Sequence, residues 1–376
     1  MSDDKIKNVC TYEKSRELFR ERVSKNPSFK LNTLLLNEED DLTIDIAVFK
    51  GNSKSLIIHI SGTHGVEGYV GSEIQTDLLK NVRIQNNTCY PTIIFVHGLN
   101  PFGMKYLRRV NENNVDLNRN ALFQNEHKSL TDCSTSHRKD YSIIDNIINP
   151  KYKFSYSIFQ KLYRFFKIIY AIIRYGFTRC KRAMVTGTYS NNFKKGLFYG
   201  GNKLEKSHEL LRDFLKKNNY TENVKRLSLI DVHTGMGQMG KDTIMVASSN
   251  TFQKNKLDDL FSKSQNVCYT HKDSKNEVTK GYELTKGDVA DNYPTLFRNV
   301  EQVISVTQEF GTYHNLVVAN ELIKENQAWH YGSKGKKYDN RELYEVFSPL
   351  SKSEVRYEMM KRGVLVFYKI FKNMLS

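Results

Sequence analysis

Four side chains that can bind a metal or carry a proton follow three short apolar runs of the sequence. His64 and Glu67 come after "SLIIHI", His233 follows "LSLIDV", and Glu309 follows "VISVTQ". Two imidazoles and one carboxylate form a ligand set that holds a catalytic Zn²⁺ and leaves a position open for water. A second carboxylate outside the set can take a proton from that water. These residue types are therefore typical of metal-assisted hydrolysis.

The short spacing of His64 and Glu67 has a mechanical reason. A turn after a strand can direct an imidazole and, at the start of the next helix, a carboxylate toward one point, and a ligand from a distant strand end then completes a rigid tripod. Glycines around the pair relax this turn. Taken alone, His-x-x-Glu is also the pattern of a buried histidine beside an unrelated glutamate at a helix N-terminus.

A polar stretch rich in Asn and Arg, "GLNPFGMKYLRRVNENNVDLNRN", occupies residues 98–120. An arginine fork supported by asparagine donors recognises a carboxylate more specifically than a lysine does. The stretch therefore predicts a site for an anionic end group. In isolation it is more typical of an Asn-rich turn with exposed arginines.

In this order, His64-x-x-Glu67, "RVNENNVDLNRN", His233 at a strand end and Glu309 in "EFGTY" resemble the signature of zinc metallocarboxypeptidases of the funnelin type. Within that carboxypeptidase A-like clan the sequence is most similar to a poorly characterised, mostly bacterial branch. The blocks that carry this similarity are "SGTHGVEGY", "LNPFGM", "GLFYGG" and "DVHTG", and the resemblance spans residues 40–330.

The resemblance implies one Zn²⁺ per chain, bound by His64, Glu67 and His233. Glu309 is then the general base that activates water and later protonates the leaving amine.

The resemblance also assigns the arginine loop. Asn118 and Arg119 would grip the terminal carboxylate of the substrate, and Arg109 would polarise the scissile carbonyl and stabilise the oxyanion. Arg108 is adjacent to Arg109 and competes with it for this role. A tyrosine on a loop between the third ligand and the base closes over the substrate in this family. Tyr282 and Tyr293 both lie in that interval, and Tyr282 is the assigned substrate-binding residue.

The function expected from these motifs is that of a zinc-dependent metallocarboxypeptidase-like hydrolase that removes a C-terminal amino acid from a peptide. The alternative is a zinc amidohydrolase of the aspartoacylase or succinylglutamate desuccinylase type, which deacylates a small N-acyl amino acid. Both substrates carry a free carboxylate. A third reading is a non-catalytic binding protein, against which the presence of Glu309 argues.

Short apolar runs alternate with helix-like segments, and this pattern predicts a sheet covered on both faces. The expected fold class is α/β, a three-layer α/β/α sandwich with a mixed, mostly parallel twisted sheet and the zinc site at the carboxyl ends of its strands. The predicted strands cover residues 43–49, 55–61, 92–98, 227–232, 243–248 and 302–308. The predicted helices cover residues 71–80, 205–217, 314–325 and 352–374.

Residues 147–204, which we call the basic insertion, contain Lys, Arg and many aromatic residues but no Asp or Glu. Their spacing predicts a basic amphipathic helix or helix pair. Such a segment can contact an acidic membrane surface or nucleic acid. The favoured interpretation is that it packs its apolar stripe on the core and borders a site for an acidic substrate, and we expect no specific nucleic-acid partner. Because no linker-like stretch divides residues 1–376, we expect a single domain with this insertion.

The net charge of +16 favours anionic partners. A Lys-rich composition alone can also produce such a charge in a protein that has no anionic partner. The five cysteines are widely scattered and predict reduced thiols. The polar start of the sequence does not resemble a secretory signal, and the longest apolar stretch is interrupted by Lys167 and Arg174. We therefore expect a cytoplasmic protein.

Overall fold

A computed structural model of the chain describes residues 9–82, 89–124, 126–132, 136–155, 157–261, 264–269, 285–332 and 340–375. Within these residues eight strands form one mixed sheet. They are β1 (Lys30–Asn37), β2 (Leu42–Phe49), β3 (Ser55–Ile60), β4 (Thr92–His97), β5 (Arg226–Met239), β6 (Asp242–Val246), β7 (Asn266–Tyr269) and β8 (Gln302–Gly311).

The order of the strands across the sheet is β1-β2-β4-β3-β5-β8-β6-β7. The central strands β4, β3, β5 and β8 run parallel to one another. Antiparallel pairings join β2 to β4 and β6 to β8, so the sheet is mixed with a parallel centre. All six predicted strands are present. The edge strands β1 and β7 were not predicted.

The helices of the described residues include the four predicted ones, of which two are longer than predicted by a few residues and two agree with the predicted bounds to within one residue. Their bounds are α1 (Tyr12–Ser24), α2 (Gly68–Asn81), α3 (Pro101–Lys105), α4 (Glu126–Asp132), α5 (Ser136–Ile148), α6 (Ile158–Tyr175), α7 (Phe177–Thr186), α8 (Lys206–Lys217), α9 (Lys254–Phe261), α10 (Val289–Asn292), α11 (Asn315–Tyr331), α12 (Arg341–Phe347) and α13 (Ser353–Leu375).

The sheet has an apolar core on each face. Ile57 of β3 contributes to one core, together with residues of α2 and α13. Ile58, the next residue of the same strand, contributes to the other core with residues of α8. Successive side chains of a strand point to opposite faces, so a strand buried on both faces is a continuous apolar run. The α/β class and the three-layer arrangement are therefore confirmed.

The basic insertion contains α6 and α7, which are separated by Gly176 at φ +82°. A positive φ is accessible to glycine at little cost, and the chain turns there between the two helices. In the described part of the chain, no helix combines the length and the apolarity that a membrane crossing requires. Cys10, Cys89, Cys180 and Cys268 are free thiols, and Cys133 lies outside the described residues.

Candidate active site

His64, Glu67 and His233 form a compact group, which we call the candidate metal set. His64 directly precedes a single turn of 3₁₀-helix (Gly65–Glu67) that leads from β3 into α2. This one connection therefore positions the side chains of both His64 and Glu67. The third side chain comes from β5. One nitrogen or oxygen atom of each residue lies within 4.8 Å of the others, and all three residues are buried. This group could hold a metal ion.

The distances within the candidate metal set are short. His64 Nδ1 lies 2.9 Å from Glu67 Oε1 and 3.0 Å from His233 Nδ1. His233 Nδ1 lies 3.2 Å from Glu67 Oε2. Two ring nitrogens and a carboxylate thus face one another in a space that only a proton or a cation can share without repulsion between lone pairs.

The outer nitrogens of both imidazoles are held by aspartates. His64 Nε2 donates to Asp116 Oδ1 at 3.0 Å, and His233 Nε2 donates to Asp231 Oδ2 at 2.7 Å. A carboxylate that accepts the Nε2 proton leaves the Nδ1 lone pair directed inward, which is the arrangement of metal-binding histidines. The donor set therefore fits Zn²⁺, which favours imidazole and carboxylate ligands.

The sequence analysis did not identify Asp116 or Asp231. Asp231 could have been found, because it precedes His233 by two residues on one strand and so lies on the same face. Asp116 stands in "DLNRN", a motif whose asparagine and arginine were noted while its aspartate was not. Only the tertiary structure brings this aspartate to His64.

The electrostatics of the set favour positive charge at its centre. Burial opposes ionisation of Glu67, but His64, His233 and Arg109 hold the pKa of its carboxyl below the ordinary value. Burial also opposes the imidazolium form of His233, but Asp231 and Glu67 hold its pKa well above the ordinary value. Carboxylates thus attract either a proton or a metal cation to this point.

Glu309 lies on β8 beside His233, its register partner on β5. The sequence pattern predicted that both residues follow their strands, and this was wrong: β5 and β8 continue to Met239 and Gly311, so both lie inside paired strands. The pairing continues because Thr234 and Gly235 of β5 still find partners on β8. Glu309 is therefore held on a rigid element.

Burial, followed by the negative charge of Glu67, raises the pKa of Glu309 to about 7. Its Oε1 accepts a hydrogen bond from the backbone N–H of Met236 at 2.9 Å. A carboxylate with a pKa near neutrality can both accept and return a proton.

The structure separates the two adjacent arginines. Arg109 Nη1 donates to Glu67 Oε1 at 2.9 Å, and its Nε donates to Asp116 Oδ2 at 3.1 Å. Arg108 points elsewhere, and its Nε donates to Glu325 Oε1 at 2.5 Å. Arg109 is therefore the arginine at the candidate metal set, and its catalytic role stays a prediction.

Asn118 and Arg119 occupy a 3₁₀ turn (Leu117–Arg119) and line the same cavity as the candidate metal set. Asn118 Oδ1 accepts from the backbone N–H of Val289 at 2.9 Å. Arg119 is only 2% exposed, and its Nε and Nη2 donate to the backbone carbonyl of Val185 at 3.0 and 2.7 Å. The basic insertion thus holds this guanidinium in the cavity wall.

The two candidate tyrosines differ. Tyr282 lies outside the described residues. Tyr293 is buried, and its hydroxyl is 2.9 Å from His208 Nδ1. It is not among the residues that line the cavity.

The cavity that contains these polar groups has a volume of about 230 Å³ and mostly apolar walls. On one side the walls come from the basic insertion and the helix before it. On the other side they come from α11. The principal apolar residues are Ile144 and Ile148 of α5, Ile168 and Ile172 of α6, Met184 of α7, and Val318 and Leu322 of α11. The sequence analysis offered the interpretation that the basic insertion borders a site, but it predicted neither the apolar character of this wall nor the contribution of α11.

Comparison with known proteins places the chain in a family. The chain belongs to the family described as "Protein of unknown function (DUF2817)". The match extends over residues 9–358 and so includes all the residues of the candidate active site. No curated protein matches the chain.

Two solved structures are similar to this chain. One is bovine thrombin-activatable fibrinolysis inhibitor in complex with tick carboxypeptidase inhibitor, which is 12% identical with a TM-score of 0.44 over 98% of this chain and 99% of that chain. The other is a metallo-carboxypeptidase from Pseudomonas aeruginosa in complex with (2-guanidinoethylmercapto)succinic acid, which is 11% identical with a TM-score of 0.44 over 97% of this chain and 69% of that chain.

Proposed function

We propose that this protein is a zinc-dependent, carboxypeptidase-like hydrolase that cleaves the amide bond before a carboxyl-terminal amino acid. The observation that carries the proposal is the convergence of His64, Glu67 and His233, with both imidazoles oriented by aspartates. A buried carboxylate, Glu309, stands beside the set on the neighbouring strand.

His64 and His233 would hold Zn²⁺ through Nδ1, and Glu67 through its carboxylate. When bound, the ion supplies a more acidic water molecule and a Lewis acid for the scissile carbonyl.

The residues of the chain do the rest of the work. Glu309 takes a proton from the attacking water and returns it to the nitrogen of the leaving amine. Arg109 donates hydrogen bonds to the carbonyl oxygen as negative charge develops there. Asn118 and Arg119 hold the free carboxylate of the substrate, which confines cleavage to the last amide bond.

The second candidate is deacylation of an N-acyl amino acid, which uses the same residues. One observation favours it: the cavity walls beyond the polar groups are mostly apolar and offer few partners to a peptide backbone. A hydrocarbon acyl group needs no hydrogen-bonding partners from these walls.

Metal content tests the site. Purified wild-type protein is expected to hold one zinc ion per chain, and His64→Ala and His233→Ala are expected to lose it. His314→Ala is the matched control, because His314 is exposed at the start of α11 and should leave the metal content unchanged. A wild-type protein that holds no metal after zinc loading, or ligand variants with full metal content, would contradict the assignment.

Product analysis tests the reaction. The zinc-loaded protein is incubated with a set of peptides and a set of N-acyl amino acids, and the released amino acids are quantified. Glu309→Gln should retain zinc and lose most turnover, because the amide cannot accept the proton. Equal turnover by Glu309→Gln would refute the role of this residue. Release of amino acids from N-acyl compounds alone would favour the second candidate.

A further inference from the structure

The cavity has two chemically different parts. The candidate metal set, Arg109 and Arg119 supply charged and polar groups to one part. Most of the remaining wall is formed by apolar side chains of α5, α6, α7 and α11, and its charged or polar members include Lys181, Asp288, Asp291 and Asn315. A ligand that suits both parts has a carboxylate and an amide at one end and an apolar body at the other.

The apolar part discriminates between peptides and hydrocarbon chains. A peptide extended along this wall would bury amide N–H and C=O groups without partners, which opposes binding. A hydrocarbon chain carries no such groups and gains from leaving water, by about fourfold in affinity for each buried methylene.

The carboxylate clamp and the apolar wall are joined physically. Arg119 donates to the backbone carbonyl of Val185, and Val185 itself lines the cavity at the end of α7. The basic insertion therefore supports the guanidinium at one position and supplies apolar wall at others. A substrate whose carboxylate is bound by Arg119 has this wall within the same cavity.

From these observations we infer that the substrate is an N-acyl amino acid with a long hydrocarbon chain, and that the chain lies between the basic insertion and α11. This inference rests on the proposed function. In the reaction the oxygen of water bonds to the acyl carbon, the carbon–nitrogen bond breaks, and a proton passes to the nitrogen. The products are a fatty acid and a free amino acid, so atoms and charges balance.

The test compares N-acetyl, N-hexanoyl and N-dodecanoyl derivatives of one amino acid, each below its critical micelle concentration. We expect kcat/KM to rise by about fourfold per methylene until the cavity is filled. Ala319→Phe, which places a ring in the cavity wall of α11, should lower kcat/KM for the dodecanoyl derivative much more than for the acetyl derivative. Val317→Phe is the control, because Val317 is exposed on the same helix and does not line the cavity.

A binding measurement separates this inference from the proposed function. Dodecanoate and acetate are titrated calorimetrically into metal-free wild-type protein and into Ala319→Phe. Tight binding of dodecanoate that Ala319→Phe weakens supports the chain site, even if no hydrolysis occurs and the proposed function fails. Hydrolysis of acetyl and dodecanoyl compounds at equal rates, without binding of dodecanoate, would overturn the chain site and leave the proposed function standing.

A second observation concerns the outer face of α6. Of the sixteen large apolar side chains that are exposed in the described part of the chain, ten lie between residues 158 and 177. Phe159, Phe166 and Ile173 are 78%, 62% and 79% exposed, and they recur at intervals of seven residues along one face. Twelve Lys and Arg residues and no acidic residue accompany them in the basic insertion.

This combination fits an anionic bilayer. An apolar helix face inserts at the boundary of headgroups and acyl chains, and the surrounding cations are attracted to acidic lipid. The geometry points to α6 as a surface that docks on an anionic membrane without crossing it.

Sedimentation with vesicles tests the surface. Wild-type protein should pellet with vesicles of phosphatidylserine and phosphatidylcholine at low salt, and less at high salt because the charges are screened. The triple variant Phe159→Ser, Phe166→Ser, Ile173→Ser should remain in the supernatant, whereas Tyr357→Ser, a control at an exposed aromatic residue of α13, should pellet. Failure of the wild type to pellet, or a wild-type dimer in sedimentation velocity that the triple variant abolishes without any vesicle binding, would overturn this assignment.

Discussion

Arg108 and Arg109 are adjacent in sequence, yet the structure predicts opposite consequences for their replacement. Arg108 is 1% exposed and its partner Glu325 is 2% exposed, with 2.5 Å between Arg108 Nε and Glu325 Oε1. The guanidinium also lies 4.1 Å from the centre of the Trp329 ring. Arg108→Leu would therefore leave the Glu325 carboxylate buried without its cation.

The expected loss for Arg108→Leu is about 3–5 kcal/mol in the free energy of unfolding, the usual cost of breaking a buried ion pair. The double variant Arg108→Leu, Glu325→Leu should recover most of this loss, because no buried charge is left uncompensated. Burial already raises the pKa of Glu325 despite Arg108. Since protonation removes the buried charge, the deficit of the single variant should shrink as the pH falls toward that raised pKa.

Urea unfolding followed by tryptophan fluorescence and circular dichroism measures these differences, with turnover recorded under conditions where each variant is folded. Arg109→Leu is the comparison, and it should lower turnover strongly because it removes the donor beside Glu67. A loss below about 1 kcal/mol for Arg108→Leu, or a double variant as unstable as the single one, would refute the reasoning.

Three further predictions follow from the site. Asp231→Asn should weaken zinc binding by about 10–100-fold, measured by competition with a chelator of known affinity, because the carboxylate that orients His233 is lost. Burial, followed by the charge of Asp291, raises the folded-state pKa of Asp288 to about 7. The wild type therefore loses stability as the pH rises from 4 to 7, because the unfolded chain releases this proton first. Asp288→Asn does not have this loss, so its stability relative to the wild type should increase over the same range. Unfolding curves at pH 5 and pH 8 measure the difference, and equal gains at both values would contradict it. Gly287→Ala would place a Cβ atom 2.4 Å from the backbone oxygen of Arg119, and the backbone there would have to shift. Because Arg119 is proposed to hold the substrate carboxylate, KM for carboxylate-bearing substrates should rise more than kcat falls.

Sequence reasoning located the central sheet because its strands are continuous apolar runs. β1 escaped notice because it is an edge strand whose side chains are mostly exposed or half-buried, and β7 because it has only four residues. The turn that carries His64 and Glu67 was predicted from local spacing alone, since both residues belong to one strand-to-helix connection.

The partners that come from distant parts of the chain could not be derived in this way. Nothing in "LRRVN" distinguishes Arg108 from Arg109, because the difference depends on Glu325, more than two hundred residues later. Asp116 reaches His64 through a loop whose course the periodicity of the sequence does not encode. Asp231 is the exception, since the period of a strand places it on the same face as His233.

α6 shows why a single amphipathic stripe was an incomplete description of the basic insertion. Ile168, Ala171 and Ile172 line the cavity, while Phe159 and Phe166 face outward. A helix that is apolar on two faces is ordinarily enclosed by protein on both. Here the inner face borders a cavity and the outer face is exposed, so neither face has a protein partner that satisfies it fully. A hydrocarbon chain inside and a lipid surface outside would remove both faces from water, which makes the two inferences energetically consistent with each other while their tests remain independent.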